Sequence, residues 1–431
     1  MNKPTHTTAI PKLRFPEFAH SGEWEVIALS KLGEIVNGLY GKSSEDFGKG
    51  KPFVTYKQVY ESSKVDFSKC GRVEIREGEK QNNLVKGDIL FTTSSETPHE
   101  VGFASVVLIE PNEPTYLNSF CFSLRPFSLE QLQPEFSQYL FQSAAYRKSI
   151  RTLSQGITRF NISKSAFLKL KVFLPKAPAE QRKIADCLTS LDACITLEQK
   201  KLELLRTHKK GLLQQLFPAE GQRVPALRFP EFAHSGEWEV KRLGEILSEP
   251  LKEIEKKPNQ IELLSVKLHC KGIENTGKYP TVTERGRPYY RRYKGELLIG
   301  RQNFHNGGIG IVKDENDGKI CSNAISSYLP RNNDDIVFIF YYISREDFYK
   351  NFSNIVNGTG QKEITKKEFD NIKIHIPPLP EQRKIASCLA SVDALIEAQS
   401  RRIEVLQRHK KGLLQGLFPR VSEAESAEAA P

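Results

Sequence analysis

The sequence predicts an α+β protein: two mixed α/β globular domains alternate with two long antiparallel coiled-coil helices, in a cyclic, pseudo-twofold arrangement. Three observations lead there. The fourteen residues LRFPEFAHSGEWEV at 13–26 return letter for letter at 227–240, which marks an internal duplication. A second duplication lies further on: EQRKIADCLTSLDACI at 180–195 matches EQRKIASCLASVDALI at 381–396, and HKKGLLQQLFP at 208–218 matches HKKGLLQGLFP at 409–419. Within that second pair, apolar residues recur at alternating intervals of four and three, as a heptad seam requires.

The elements follow in order. Residues 1–178 are expected to form the first α/β domain, 179–218 the first helix, 219–378 the second domain, 379–419 the second helix, and 420–431 a disordered, acidic, Ala-rich tail. In each domain a glycine turn runs into a strand, VKGDILFTT at 85–93 and YKGELLIGR at 293–301. The returning strands are EVGFASVVLIE at 100–110 and GIGIVKDEN at 308–316, with a helix after each at 128–150 and 332–352. The seam of the first helix is Ile184, Leu188, Leu191, Ile195, Leu202, Leu205, Leu212 and Leu216. That of the second is Ile385, Leu389, Val392, Ile396, Ile403, Leu406, Leu413 and Leu417. Glu198 and Lys209, and their counterparts Gln399 and Lys410, interrupt the apolar pattern. Mid-helix Glu198 and Gln399 either fix the register as buried polar residues or mark a place where the helices splay. Prolines bracket both helices, Pro178 and Pro218, Pro380 and Pro419.

From Ile184 to Leu216 is a rise of about 48 Å. The second domain is fed by the end of the first helix and delivers into the start of the second. Were the helices parallel, its termini would have to lie about that far apart, which is unusual for a compact domain. Antiparallel pairing brings those two ends together and places one domain at each end of a two-helix spacer.

Composition narrows the class. With 39% hydrophobic and 27% charged residues the 431-residue chain is that of a soluble globular protein. No stretch approaches the ~20 apolar residues of a membrane span, and the N-terminus lacks the apolar core of a secretory signal, so a cytoplasmic location without a membrane partner is expected. Seven cysteines, an odd number without a C-x-x-C pair, read as reduced buried thiols. Lys and Arg outnumber Asp and Glu by 63 to 52, a net charge of +11, which favours a polyanionic partner such as nucleic acid.

Catalytic patterns are missing. There is no G-x-x-x-x-G-K-[ST] loop, and GGIG at 307–310 and GTG at 358–360 read as turns rather than a dinucleotide or S-adenosylmethionine fingerprint. The nine histidines show no metal spacing, so no metal site is expected. His208 and His409 read as cations near a helix C-terminus. Asp334 and Asp335 read as a helix N-terminus rather than a catalytic pair.

The order domain–helix–domain–helix, the LRFPEF…GEWEV lead-ins and the twice-occurring EQRKIA…HKKGLLQ-x-LFP phrase resemble the specificity subunit of type I restriction–modification systems, over about residues 11–419. The resemblance implies two target-recognition domains that bind double-stranded DNA and have no catalytic site of their own. It implies two methyltransferase subunits docked on the helices and restriction/translocase subunits joining that core. S-adenosylmethionine, ATP and Mg are then expected on those partners, with no cofactor bound by this chain.

The interiors of the two domains are dissimilar where lead-ins and helices are nearly identical, so the two should read unlike half-sites. A 48 Å spacer spans about 14 base pairs, close to the one-turn separation that half-sites read from one side require. Aligning Lys86-Gly87 with Lys294-Gly295, and Val101-Gly102 with Ile309-Gly310, places two polar loops at matched positions. Thr93, Ser94, Ser95 and His99 in the first, and Arg301, Gln302, Asn303 and His305 in the second, carry the donors and acceptors used on base edges. A second matched pair, SQGITRF at 154–160 and NGTGQKE at 357–363, offers Arg159, Gln361 and Lys362. These loops either read DNA or are solvated hairpin tips. A stand-alone architectural or regulatory DNA-binding protein would use the same organisation, but leaves the duplicated helix faces unexplained. A purely structural coiled-coil scaffold gives no reason for the two interiors to diverge.

Overall fold

The computed structural model describes residues 9–97, 100–281, 287–353 and 363–420. The chain divides into two compact units, residues 1–199 with 402–431 and residues 200–401. The boundary between the units falls within both long helices. Each contributes its larger, N-terminal part to one unit and its smaller, C-terminal part to the other.

Unit 1 runs β1 (Glu25–Ala28), β2 (Gly33–Asn37), α1 (Tyr56–Glu61), β3 (Ile89–Thr92), β4 (Ser94–Ser95), β5 (Ala104–Val106) and β6 (Cys121–Pro126). It continues with α2 (Pro134–Leu140), α3 (Ala144–Thr152), β7 (Ser154–Gln155), β8 (Phe160–Ile162), α4 (Lys164–Lys169) and β9 (Lys171–Leu174), then enters the long helix α5 (Pro178–Gln215). Unit 2 repeats the plan with β10 (Glu239–Arg242), β11 (Leu247–Ser248), β12 (Tyr289–Arg291), β13 (Leu297–Gly300), β14 (Ile309–Ile311) and β15 (Ile325–Pro330). Then come α6 (Ile336–Ile343), α7 (Glu346–Lys350), α8 (Lys366–Asn371), β16 (Lys373–Ile376) and the long helix α9 (Leu379–Gly416).

The central sheets have the same antiparallel order, β2-β6-β3-β5 and β11-β15-β13-β14. The predicted glycine turns open both central strands. Gly87 and Gly295 sit at φ 94° and 88°, a left-handed conformation that glycine adopts without the Cβ penalty. A second pairing, β1 with β9 and β10 with β16, ties each lead-in to the strand that precedes a long helix.

Each predicted helix after the sheet is two. In unit 1 the break falls at Ser143, whose side chain caps α3 by accepting from the Tyr146 N–H. In unit 2 Ser344 and Arg345 separate α6 from α7. Asp335 caps α6, accepting from the N–H groups of Val337 and Phe338, so the helix-N-terminus reading of that residue holds.

The helix seams follow the heptad reading. Ile184, Leu188 and Ile195, and Ile385, Leu389, Val392 and Ile403, are buried, while Leu191, Leu202, Leu205, Ile396 and Leu406 are half-buried. In unit 1, Asp192 pairs with Lys410 at 2.6 Å and Glu198 with Arg402 at 2.8 Å. Numbering rises along α5 as it falls along α9, so the two are antiparallel there. Lys209 with Asp393 at 2.6 Å repeats the first of these pairs in unit 2.

The helices stop at Gln215 and Gly416, short of the expected Pro218 and Pro419, because the next residues turn inward. Leu216 and Phe217 enter the core of unit 2, and Leu417 and Phe418 that of unit 1. Phe418 lies edge-on to Trp24 at 6.0 Å, as Phe217 does to Trp238 at 6.3 Å. Consequently His208 and His409 sit about two turns inside the helices, beyond reach of a dipole that fades within the last turn. No basic residue occupies the last turn of either helix. Of the cysteines, Cys121 and Cys321 are buried as expected, but Cys70, Cys187, Cys194, Cys270 and Cys388 are only half-buried.

Candidate nucleic-acid interface

The candidate readers lie where β3 and β13 end. In unit 1, Thr93 donates its N–H to the Phe120 carbonyl and accepts from the Ile162 N–H, both at 3.0 Å. Ser94 and Ser95 form β4, which pairs with Asn161 and Phe160 of β8. The two loops singled out separately in the sequence are thus one surface, and Arg159, exposed just before β8, lines the same cleft as Ser94 and Ser95. His99 lies outside the described residues. A cleft of about 420 Å³ opens there, lined by Tyr56, Tyr60, Ser94, Ser95, Glu100, Phe120 and Arg159 among others.

Three of those residues, Tyr56 and Tyr60 of α1 and Phe120 before β6, escape sequence reasoning because only the fold brings them to the site. Tyr56 donates its hydroxyl to the Ser94 carbonyl at 2.6 Å. Tyr60 donates to Oε1 of Glu100 at 2.8 Å and the Ser95 hydroxyl to Oε2 at 2.9 Å. The bond to that carboxylate holds the Tyr60 phenol above its ordinary range.

Unit 2 solves the same position differently. Arg301 takes the place of Thr93, donating its N–H to Ala324 and accepting from the Ile364 N–H, but the loop then coils into a 3₁₀ helix, Arg301–Asn306. Gln302 and Asn303 are exposed on it. His305 is half-buried, its Nε2 3.1 Å from the Asn306 side chain. The Arg301 guanidinium is already engaged, donating to the Asn323 carbonyl at 2.8 Å and lying 3.4 Å from Glu363. Gln361 and Lys362 lie outside the described residues.

One part of the loop alignment is corrected. Gly87 and Gly295 are equivalent, donating to Val107 and Val312 at 2.8 and 2.9 Å. Across the sheet, however, Phe91 pairs with Ala104 and Ile299 with Ile309. Ile309 therefore corresponds to Ala104, not to Val101, and the loop of unit 1 is three residues longer.

A smaller cleft adjoins Arg301, lined by Lys252, Tyr290, Arg292, Asn323, Ser326, Ser327 and Lys366 among others. Its four cations each face a carboxylate: Lys252 with Glu249, Arg292 with Glu296, Arg301 with Glu363, Lys366 with Asp370. Burial pushes the Glu296 carboxyl up from its ordinary range. Equivalent ends of equivalent sheets therefore present unlike chemistry: Tyr56, Tyr60 and Phe120 with Glu96, Glu100 and Arg159 in one, four ion-paired cations with Tyr290 and Glu249 in the other.

The type I restriction modification DNA specificity domain matches residues 21–207 and again 235–408. The chain belongs to that family. Among curated specificity-domain relatives, the type I restriction enzyme MjaVIII specificity subunit of Methanocaldococcus jannaschii is 25% identical over 424 residues, covering 93% of this chain and 92% of its own. The EcoKI specificity subunit of Escherichia coli K12 is 22% identical over 427 residues, covering 93% and 89%. The solved S subunit of the type I restriction–modification system from M. genitalium superposes with a TM-score of 0.59 at 17% identity, over 96% of this chain and all of that one. That likeness supports the specificity-subunit fold. Among the described residues, no group of three or more His, Cys, Asp or Glu could hold a metal ion, and no helix is long and apolar enough to cross a membrane.

Proposed function

We propose that this specificity subunit recognises DNA sequence-specifically, each α/β domain reading one half of an asymmetric, bipartite duplex target. The reading is carried by one observation: two sheets of identical strand order end in clefts of different composition, while the lead-ins and long helices beside them are near-duplicates. Shared parts suit shared partners, and unlike ends suit unlike half-sites. In this reading the paired helices set the spacing between the half-sites, and their duplicated outward faces dock two methyltransferase subunits. Restriction/translocase subunits join that assembly. Methylation and cleavage then belong to the partners, which bind S-adenosylmethionine, ATP and Mg, and this chain is non-catalytic.

Thr93, Ser94, Ser95 and Arg159 are the candidate contacts of the first domain, and Gln302, Asn303 and His305 those of the second, with Arg301 holding its loop in shape. His99, Gln361 and Lys362 remain candidates on sequence grounds. The test is to map methylated positions genome-wide with and without this subunit. Loss of a bipartite, asymmetric methylation motif is expected, and an unchanged map would overturn the reading. The alternative, a stand-alone DNA-binding regulator, predicts no co-purification with a methyltransferase subunit.

A further inference from the structure

The cleft of the first domain contains two carboxylates, Glu96 and Glu100, which a surface meant only to bind a polyanion would not place there. Phosphate contacts are made by cations and neutral donors, and an ionised carboxylate facing DNA lowers general affinity. Glu100 is nevertheless aimed into this cleft by two donors from two elements, the Tyr60 hydroxyl of α1 at 2.8 Å and the Ser95 hydroxyl of β4 at 2.9 Å. Its supports are themselves fixed. Tyr60 packs edge-on to Phe103 at 5.0 Å, and the Arg147 guanidinium covers Phe103 at 4.3 Å. Ser95 is held in register by β8. A carboxylate is an acceptor with about four lone-pair positions, and prealignment of this kind serves direction rather than strength.

We infer that Glu100 is a specificity-determining residue, reading the exocyclic amino group of an adenine or cytosine in the half-site of the first domain. The inference rests on the DNA-reading function above and deepens it. On the major-groove edge, the amino groups of adenine and cytosine are the donors, whereas guanine and thymine present carbonyl oxygens at the corresponding positions. A fixed carboxylate accepts from the former and repels the latter, so it discriminates by rejection as well as attraction. Among the described residues of the second domain, the carboxylate at this place, Glu363, is tied to Arg301 rather than held by a tyrosine and a serine, so the amino-edge preference is expected of one half-site alone.

The test uses the full chain and a library of randomised duplex DNA, with base preference at every position read by sequencing the bound fraction. Wild type should prefer adenine or cytosine at one position of one half-site. Glu100→Gln, which keeps the shape and can still accept from Tyr60, should reduce that preference about tenfold or more. Tyr60→Phe should reduce it less, at the same position. Preferences in the other half-site should persist in both variants and report that the chain is folded. The assignment is overturned if Glu100→Gln changes no preference, weakens binding to all sequences alike, or acts at a position where guanine or thymine is favoured. A wild type with no base preference anywhere would overturn the DNA-reading function and this assignment together, which separates that failure from the others.

Discussion

The two units share a joint and differ at a tip. In unit 1 the Arg14 guanidinium grips Glu180 through two bonds of 2.7 Å, and Trp24 donates to the same carboxylate at 3.1 Å. In unit 2 Arg228 grips Glu381 through the same two bonds, but the Trp238 indole N–H has no hydrogen-bond partner among the described residues. At the far end of the sheets the likeness stops: among the described residues, the cation-lined cleft of unit 2 holds no counterpart of Tyr60–Glu100–Ser95. Near-identity therefore accumulates where the lead-in, the preceding strand and the long helix meet. Divergence accumulates where side chains meet solvent at the end of β3 and β13.

The strongest way to break the joint is to remove its carboxylate. Glu180→Ala leaves a buried guanidinium unpaired, which costs about 3–5 kcal/mol, and Glu381→Ala should cost a similar amount in unit 2. Amide hydrogen exchange resolved by unit would show the loss confined to the unit carrying the change. Trp→Phe sharpens the comparison. Both tryptophans lose the same ring area, but only Trp24 loses a bond to a charged acceptor, so Trp24→Phe should cost about 1.5–3 kcal/mol more than Trp238→Phe. Equal losses would show that the Trp24 bond contributes nothing.

Next in size is a clasp that neither domain has alone. Tyr139 donates to Asp192 at 3.0 Å and Asp192 pairs with Lys410. Tyr341 donates to Asp393 at 2.7 Å and Asp393 pairs with Lys209. Each clasp joins a domain helix to both long helices and explains the lysines that interrupt the seam. Because the aspartates are partly exposed, Tyr139→Phe and Tyr341→Phe should each cost only about 1 kcal/mol, measured by urea unfolding. A loss in one unit and none in the other would mean that the duplicated geometry is not energetically duplicated.

These clasps show what could be read from residue order and what could not. The helix seam was legible because its period is local: each residue's burial depends on neighbours three and four places away. Lys209 and Lys410 looked like faults in that period because Asp393 and Asp192 lie on the partner helix, invisible to spacing. The helix expected over 128–150 breaks at Ser143, where a side-chain cap outweighs the hydrophobic run. The loops holding Thr93–Ser95 and Arg159 were found as polar insertions, yet the walls of their cleft, Tyr56, Tyr60 and Phe120, come from segments whose proximity only sheet pairing determines. The slip of three residues in the loop alignment has the same origin, since matching glycines say nothing about how many residues the intervening turn contains.

A smaller difference responds to pH. Val240 pairs with His375 where Val26 pairs with Phe173, so of the two ladders that of unit 2 alone carries a histidine. Its Nδ1 lies 3.0 Å from the Tyr342 hydroxyl. Burial, then Arg223 and Arg345, hold its pKa below the ordinary value. The unfolded chain therefore binds the proton more readily than the folded one. The stability this residue contributes is present above about pH 6.5 and is lost as pH falls below it. His375→Phe, which copies unit 1, should flatten that decline in exchange protection of unit 2 between pH 7.5 and 5 and leave unit 1 unchanged. Parallel profiles would remove the titration from the comparison.

The smallest expected effect is none, and it tests the likeness most directly. In unit 2 the end of α5 is joined covalently to the lead-in: Leu227 donates its N–H to Gln215 at 2.9 Å, and Trp238 to Arg223 at 2.9 Å. In unit 1 the same two bonds run from Leu13 to Gly416 at 2.8 Å and from Trp24 to Ala9 at 2.9 Å, although no short peptide links those strands to α9. The packing does not depend on the covalent connection, because the same lead-in, the same Leu-Phe insertion and the same tryptophan recur without it. A permuted chain that is opened within 219–225 and has Pro419 joined to Leu13 through eight residues, the number between Pro218 and Leu227, should unfold within about 1 kcal/mol of wild type, the scale of a change in loop closure. Selective collapse of unit 2 on opening would show that its lead-in is held by the chain connection, and that the two joints are alike in form but not in strength.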